Sequence, residues 1–316
     1  MANVVERGSL SGRAMFAPEL VKDLVNKVKG QSALAQLCGA TPIPFNGRTE
    51  YTFNMDDEVN IVAESGAKAR GAVTFQGRTI IPIKVEYGAR LSDEFIYAAE
   101  AEQIDILKNF NEGYARKVAR GLDYMAFHGV NPRVGTASAV IGNNCFDKAV
   151  SQKVAVSGGT DADAQIEAAI AMVQANEEDV TGIAMSPTMR SALAALTLTT
   201  GEKKFPELAW GSAPGVINGL PTQVNGTVSR YPDTSESSGV TTTITDYAVV
   251  GNFENGFRWG YAKDIPMEII QYGDPDNSGA DLKGHNQIYV RCETYIGWGI
   301  LEPSAFALIQ KTETSS

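Results

Sequence analysis

The amino-acid sequence predicts an α+β chain, and three observations carry that prediction. A helical pattern spans about 102 to 128, more than twice the usual helix length. Alternating, strand-like segments fill 48–92 and most of the last third, punctuated by turn residues. Between them, from about 140 to 250, short helices and strands mix. With 316 residues, 43% hydrophobic and 20% charged, the chain can bury a sizeable core as one large domain or two to three modest ones.

Residues 1–17 are small, polar and rich in Gly and Ser, which predicts an extended arm. Pro18 opens PELVKDLVNKVKG, where Leu20, Leu24, Val25 and Val28 share a helical face and Gly30 supplies the stop. QSALAQLCGATPIP is apolar and ends in a Pro-punctuated turn. Residues 48–63, RTEYTFNMDDEVNIVA, alternate and lead into AESGAKARGAVTFQGRTIIPIKVEYGARLS at 63–92. This second run predicts a projecting two-stranded arm with Gly71 and Gly77 as turn candidates. It carries Lys68, Arg70, Arg78, Lys84 and Arg90 against only Glu64 and Glu86, although the chain as a whole is acidic.

Ser92 is the expected N-cap of a helix, with Asp93 and Glu94 in the first turn where the helix dipole favours anions. An interruption is expected near Glu100–Gln103. Beyond it Ile104, Leu107, Phe110, Tyr114, Val118, Leu122 and Met125 recur at steps of three or four. Gly113 and Gly121 inside this helix suggest close backbone packing or bends. His128 and Gly129 end it, and Asn131-Pro132 prevents its continuation. Further on, DADAQIEAAIAMVQAN reads as an amphipathic helix, GIAMS as a short buried strand, and Ser186-Pro187 as an N-cap with proline at the first helical position. TLTTGEKKFPELAWGSAPG is a long irregular segment presenting Trp210. The last third, with DYAVVGNF, GFRWGYAKDIPMEIIQYGD and QIYVRCETYIGWGIL, is strand and turn, and EPSAFALIQKTETSS adds a short apolar element and a polar tail.

Charge and motifs exclude several classes. A net charge of −10 argues against general nucleic-acid or anionic-membrane binding. No apolar run approaches the roughly 20 residues that span a bilayer, and MANVVERGSLSGR lacks a signal-peptide core. Cys38, Cys145 and Cys292 are odd in number and widely spaced, so no disulfide framework is expected. The sequence has no phosphate-binding loop, dinucleotide fingerprint, HExxH, CxxC pair or nucleophile elbow. His128 and His285 read as a helix-end and a loop histidine. Asp56-Asp57-Glu58 and Asp274-Pro275-Asp276-Asn277 could offer oxygens to a hard cation but read first as solvated turns. No catalytic residue, cofactor or metal is therefore expected. What remains are shape features: a loose arm, a projecting hairpin, an overlong helix and long loops. Each exposes backbone and costs ordering entropy, which makes sense where neighbouring copies cover them.

Five segments in order give these features a family. PELVKDLVNKVKGQSALAQL, the 63–92 arm with its returning strand, the helix ending LDYMAFHG, AVVGNFENGFRWGYAKDIPMEII and VRCETYIGWGILEPSAFALI together resemble the major capsid proteins of tailed phages, with the Hong Kong 97-type fold. Met125 stands where alanine is commoner in the helix signature, and Asn252 replaces the usual Asp of the strand-pair motif. The resemblance implies an N-arm and N-terminal helix (1–47), an E-loop (48–91) and a P-domain with a spine helix (92–139). It also implies an A-domain (140–250), P-domain strands (251–299) and a C-terminal segment returning to the A-domain (300–316). It implies pentamers and hexamers closing into an icosahedral shell around double-stranded DNA, assembled in a bacterial cytoplasm, with no enzymatic activity. Glu64, Lys68, Arg70, Phe75, Arg78, Ile80, Ile81 and Lys84 would contact a neighbour, whose Glu94, Glu100, Glu102 and Asp105 would receive the basic groups. Lys203, Lys204, Phe205 and Trp210 would lie near the capsomer centre. The first helix begins by residue 18, so any scaffold is expected as a separate protein; a portal and minor or decoration proteins are further expected partners. An encapsulin-type shell is the same-fold rival, and a motif-free soluble α/β enzyme the rival of another class.

Overall fold

The computed structural model describes residues 32–55, 57–93, 100–156, 161–229 and 242–314. The helix expected at 18–30 and the acidic residue Glu94 lie outside them. Among the described residues the strands form three sheets. β1 (Arg48–Met55) and β2 (Val73–Ile80) make an isolated antiparallel ribbon. β3 (Ile83–Ser92), β10 (Gln287–Ile300) and β9 (Phe257–Ile270) make an antiparallel sheet with β10 in the middle. The third sheet runs β4 (Lys153–Ala155), β11 (Phe306–Thr314), β8 (Thr242–Gly251), β5 (Gly182–Met185), β7 (Leu220–Val224), β6 (Val216–Ile217).

The six-stranded sheet is apolar on both faces. Ala248, Val250, Ala307 and Ile309 face α4 (Ala162–Gln174) and α5 (Pro187–Ala195), where they meet Ala169, Val173, Met189 and Leu193. Ser186 caps α5 by accepting from the Met189 N–H, as its position before Pro187 predicts. Val249, Phe306 and Leu308 face the other way, into a core shared with the three-stranded sheet through Ile296, Trp298 and Ile300. Phe146, Phe253 and Phe306 interlock there with centroids 5.0 to 6.4 Å apart.

Against the three-stranded sheet packs α2 (Glu100–His128), 29 residues and about 43 Å long, with Tyr114 donating to Thr294 of β10. Its buried stripe is Leu107, Tyr114, Val118, Leu122 and Met125, as the spacing predicts. The helix is continuous from Glu100, so the interruption expected at 100–103 does not occur. A side chain added at Gly113 would meet open space, and one at Gly121 would make ordinary contact with Pro132 at 3.5 Å; close packing therefore requires neither glycine. Gly129 is different. At φ 68° it ends the helix, its N–H donating to Met125 O, and a Cβ there would strike Cys145 Sγ at 2.8 Å.

One buried carboxylate ties this helix to distant segments. Asp123 is fully buried and accepts from the hydroxyl of Ser32, from Ala33 N (2.9 Å) and Leu34 N (3.4 Å), and from Thr227 Oγ1 (2.6 Å). Ser32 also N-caps α1 (Ala33–Leu37) by accepting from Ala35 N. A five-residue helix has little stability of its own; a carboxylate borrowed from α2 satisfies its first N–H groups. Burial pushes the Asp123 carboxyl upward, and the four donors oppose that shift.

The arm differs from the expected one in register and length. Its strands are β1 and β2, paired from Arg48↔Ile80 to Met55↔Val73. Gly77 sits inside the ladder opposite Tyr51 rather than at a turn, and Gly71 lies in the loop, whose base is closed by Ala72 N donating to Asp57 Oδ2. The tight turn falls at Ala63–Gly66, with Ser65 at φ 65° and Gly66 N donating to Ala63 O. The ribbon ends at Ile80. Pro82 separates it from β3, which pairs with β10, so Lys84 and Arg90 belong to the three-stranded sheet and not to the arm.

Asp123→Asn keeps the volume but points donors at donors. It should lower stability by about 3 kcal/mol, seen as a lower urea midpoint with an unchanged slope. An unchanged midpoint would show that the tie is not structural.

Candidate inter-subunit surfaces

Directly opposed residues of an antiparallel ribbon share a face. On the arm, one face carries Tyr51, Phe53, Met55, Val73 and Phe75; the other carries Arg48, Glu50, Gln76 and Arg78. Phe53 and Phe75 meet edge to face with centroids 5.2 Å apart, yet both stay more than half exposed. The Tyr51 ring lies over Gly77, where an added Cβ would come within 3.2 Å of it. Val59 and Ile61 extend the apolar surface onto the tip and are almost fully exposed, at 95% and 96%. Exposed apolar side chains gathered in this way make the ribbon a candidate interaction surface. The sequence reading named Phe75 and missed Tyr51, Phe53, Met55, Val59 and Ile61. The period-two pattern of YTFNM was the available signal.

The named basic residues divide. Glu64, Lys68 and Arg70 are exposed in the tip loop and Arg78 is exposed on the polar face. Lys84 is paired within its own chain, Nζ to Glu293 Oε1 at 2.7 Å, which raises its pKa. Ile80 is a correction as well. It is 1% exposed and forms a small core with Ile43 and Leu301 at the arm root, against Gly299 and Gly297 of β10. A Cβ on Gly299 would stand 2.8 Å from Ile80 Cγ1. Ile80 therefore anchors the arm to its own body, whereas Ile81 beside it is 68% exposed. Glu100, Glu102 and Asp105 lie in the first turns of α2.

In the irregular segment 197–215, Phe205 is buried in the core under α5, which takes it off the presented surface. Lys204 is ion-paired with Asp163, and Lys203 is exposed beside a bridge to Thr197. Trp210 is fully exposed at φ 57°, on a turn (Pro206–Gly211) held by the Arg190 guanidinium donating to the carbonyls of Leu208 and Ser212. The loop between β9 and β10 is built around Arg90. Its Nε and Nη2 donate to both oxygens of Asp276 at 2.9 and 2.5 Å, Nη2 reaches Asp274 Oδ1 and Ala280 O, and Nη1 reaches Gln287. The acidic turn that could have held a hard cation holds a guanidinium instead, and Arg90 keeps the Asp276 carboxyl far below its ordinary value.

A second buried polar cluster lies at the carboxyl end of α2. His128 Nε2 donates to Thr227 O at 3.0 Å, while Nδ1 faces Asp147 Oδ2 at 2.9 Å and Asp246 Oδ2 at 3.3 Å. Burial pulls the imidazolium down, but the bonds to the two carboxylates outweigh it and hold the ring up at about 10. Burial pushes Asp147 up to about 6, against the pull of His128. The helix-end position of His128 was legible in the sequence; its two acidic neighbours were not.

Comparison with known proteins decides what these surfaces belong to. The profile described as "Phage capsid family" matches residues 12–311. The chain belongs to the phage capsid family. A solved structure from Mycobacterium phage Ogopogo is 32% identical, with 89% of this chain and 92% of that one covered and a TM-score of 0.77. One from Gordonia phage Cozz is 23% identical over 89% and 86%, with a TM-score of 0.71. A structure titled "Capsid of empty GTA particle computed with C5 symmetry" shares the fold at 14% identity and a TM-score of 0.61, over 89% and 90%. No curated protein matches. The chain is thus a capsid protein with the Hong Kong 97-type fold, in a family whose role is structural. No helix among the described residues is long and apolar enough to cross a membrane.

The Arg90 clamp gives a pH-dependent expectation. A carboxyl depressed by Arg90 contributes stability that is fully present above its ordinary 3.8 and is lost as the pH falls through lower values. Amide protection factors in 274–280, taken against the intrinsic exchange rate at each pH, should therefore fall below about pH 4, and Arg90→Lys, which loses the bidentate geometry, should lower them already at pH 7. Equal protection in variant and wild type would overturn the clamp.

Proposed function

We propose that the chain is the major building block of an icosahedral shell, assembling into pentamers and hexamers that enclose double-stranded DNA. The apolar face of the β1–β2 ribbon supports this reading most directly. The described residues of the chain leave Tyr51, Phe53, Met55, Val73 and Phe75 exposed on an element that stands away from the body. The occupant is a second copy of this chain, because a capsid family member meets its sisters edge to edge. Aromatic anchors supply most of the energy of such contacts. The basic residues Lys68, Arg70 and Arg78 fix register and partner choice, with Glu94, Glu100, Glu102 and Asp105 of the neighbour as acceptors. Ile81 joins the contact, while Ile80 and Lys84 act within the chain. Lys203 and Trp210 approach the capsomer axis.

The implied division fits this scheme with one adjustment: the E-loop ends at the Ile80 root. The P-domain comprises α2 with the three-stranded sheet, and the A-domain the six-stranded sheet, including the C-terminal strand. The net charge of −10 suits a container. A basic wall would hold phosphates through counterion release, whereas an acidic or neutral wall lets the genome slide in and out. A closed shell filled with DNA needs an entry point, so a portal is a partner, with scaffolding and decoration proteins as further candidates. Assembly would take place in the host cytoplasm.

Two variants test the arm. Tyr51→Ser combined with Phe53→Ser removes exposed aromatic surface and should leave the melting temperature of the unassembled subunit unchanged. It should abolish large particles in electron microscopy and shift size exclusion to small species. Lys68→Glu with Arg70→Glu should slow assembly and make it less salt-sensitive. Particles of normal yield and size from the first variant would defeat the proposed contact.

A further inference from the structure

We propose that His128, Asp147 and Asp246 form a site for one divalent transition-metal ion, zinc by its donor set, which pins the end of the long helix to the six-stranded sheet. The three donor atoms lie within 4.8 Å of one another and come from three separate elements. His128 ends α2, Asp147 stands in the first turn of α3 (Phe146–Ala149), and Asp246 is on β8. Metal-binding histidines characteristically give their second ring N–H to a carbonyl, which fixes the tautomer and aims the lone pair. Here Nε2 donates to Thr227 O at 3.0 Å, so Nδ1 is the donor directed at the carboxylates. The Nδ1–Oδ2 separations of 2.9 and 3.3 Å are close to the roughly 3.4 Å edge of a tetrahedron with bonds near 2.1 Å.

Two further observations point to a ligand. The first is a β-bulge. β11 and β8 pair Ile309 with Ala248 but Gln310 with Asp246, leaving Tyr247 as the extra residue. Without it Asp246 would share the face of Ala248 and Val250, toward α4 and α5. With it Asp246 turns to the side of Val249 and Leu308, where α2 lies. Bulges commonly re-aim a side chain in this way at functional sites. Gln310 Nε2 then donates to Asp246 Oδ1 at 2.6 Å, leaving Oδ2 for the site. The second is Asp147 Oδ1, which is buried and has no hydrogen-bond partner, leaving it available as a further donor.

The charge balance agrees. Two carboxylates face one imidazole whose side chain is 3% exposed, beside Asp246 at 4%. A dication with a neutral imidazole neutralises both, whereas an imidazolium neutralises one. The Asp147 side chain, 29% exposed, puts the solvent-facing side of the cluster there. Zinc must displace the Nδ1 proton, so its affinity rises with pH. One histidine with two carboxylates suits zinc, and cobalt(II) can replace it as a spectroscopic probe.

The test uses the full-length chain, stripped with EDTA and dialysed against buffered zinc chloride. The expected result is one zinc per chain by elemental analysis, and X-ray absorption showing nitrogen and oxygen ligands with a single imidazole. Asp246→Asn removes a ligand oxygen and should weaken binding by more than the roughly 10- to 100-fold that losing an outer partner costs; His128→Gln should remove the imidazole signature, while His285→Gln should change neither. The absorption and stoichiometry are read on wild type, so they stand even where a variant fails to fold. No stoichiometric uptake by wild type, or uptake that depends on His285, overturns the proposal and leaves the cluster as an imidazolium clamped by two aspartates.

Discussion

Much of this architecture depends on one anion placed inside the protein. Asp123 sits on the long helix where the start of α1 and the segment at Thr227 meet it, and its four donors come from residues 32–34 and from Thr227. A carboxylate without such partners could not remain buried, and the segments without the carboxylate would leave N–H groups unsatisfied. Each side makes the other tolerable, so the tie is cooperative. Through it, the S-A-L-A-Q-L segment and the last turns of α2 become one unit. Five residues further on, His128 continues the same polar seam and reuses Thr227, through its carbonyl rather than its hydroxyl.

The six-stranded sheet separates two kinds of packing. On one side the aromatic cluster of Phe146, Phe253 and Phe306 joins the six-stranded sheet to the three-stranded one. On the other, small residues of α4 and α5 lie close on Ala248 and Ala307. The chain accordingly has a body with apolar cores on both faces of its large sheet, and a ribbon whose apolar side chains stay exposed.

The legible and illegible parts of this molecule divide along physical lines. Local periodicity revealed α2, α4, the buried strand GIAMS and the Ser186 cap, because each is decided by residues within a few positions. The ribbon was legible as alternation, but its turn was not. Gly71 and Gly77 look like turn residues, yet Gly77 is a seat for the Tyr51 ring. Ile80 resembled Phe75 in the sequence; its burial depends on Gly297 and Gly299, more than two hundred positions away. The histidine site was hidden for the same reason. Asp147 and Asp246 reach His128 only through the fold, and Asp246 only through a bulge that no periodicity announces. The order of five weak motifs, in contrast, was enough for the family, because topology constrains all of them together.

The peg at the ribbon root has a mechanical side. Eight residues of extended chain span about 26 Å, and they are seated by one isoleucine between Ile43, Leu301 and the two glycines of β10, with a proline just beyond. A lever of that length turns a tilt of about 10° at its base into a swing of about 4.5 Å at its far end. In the proposed shell, such a pivot would let subunits meeting at slightly different dihedral angles keep the same aromatic contact, with no strand needing to be re-paired.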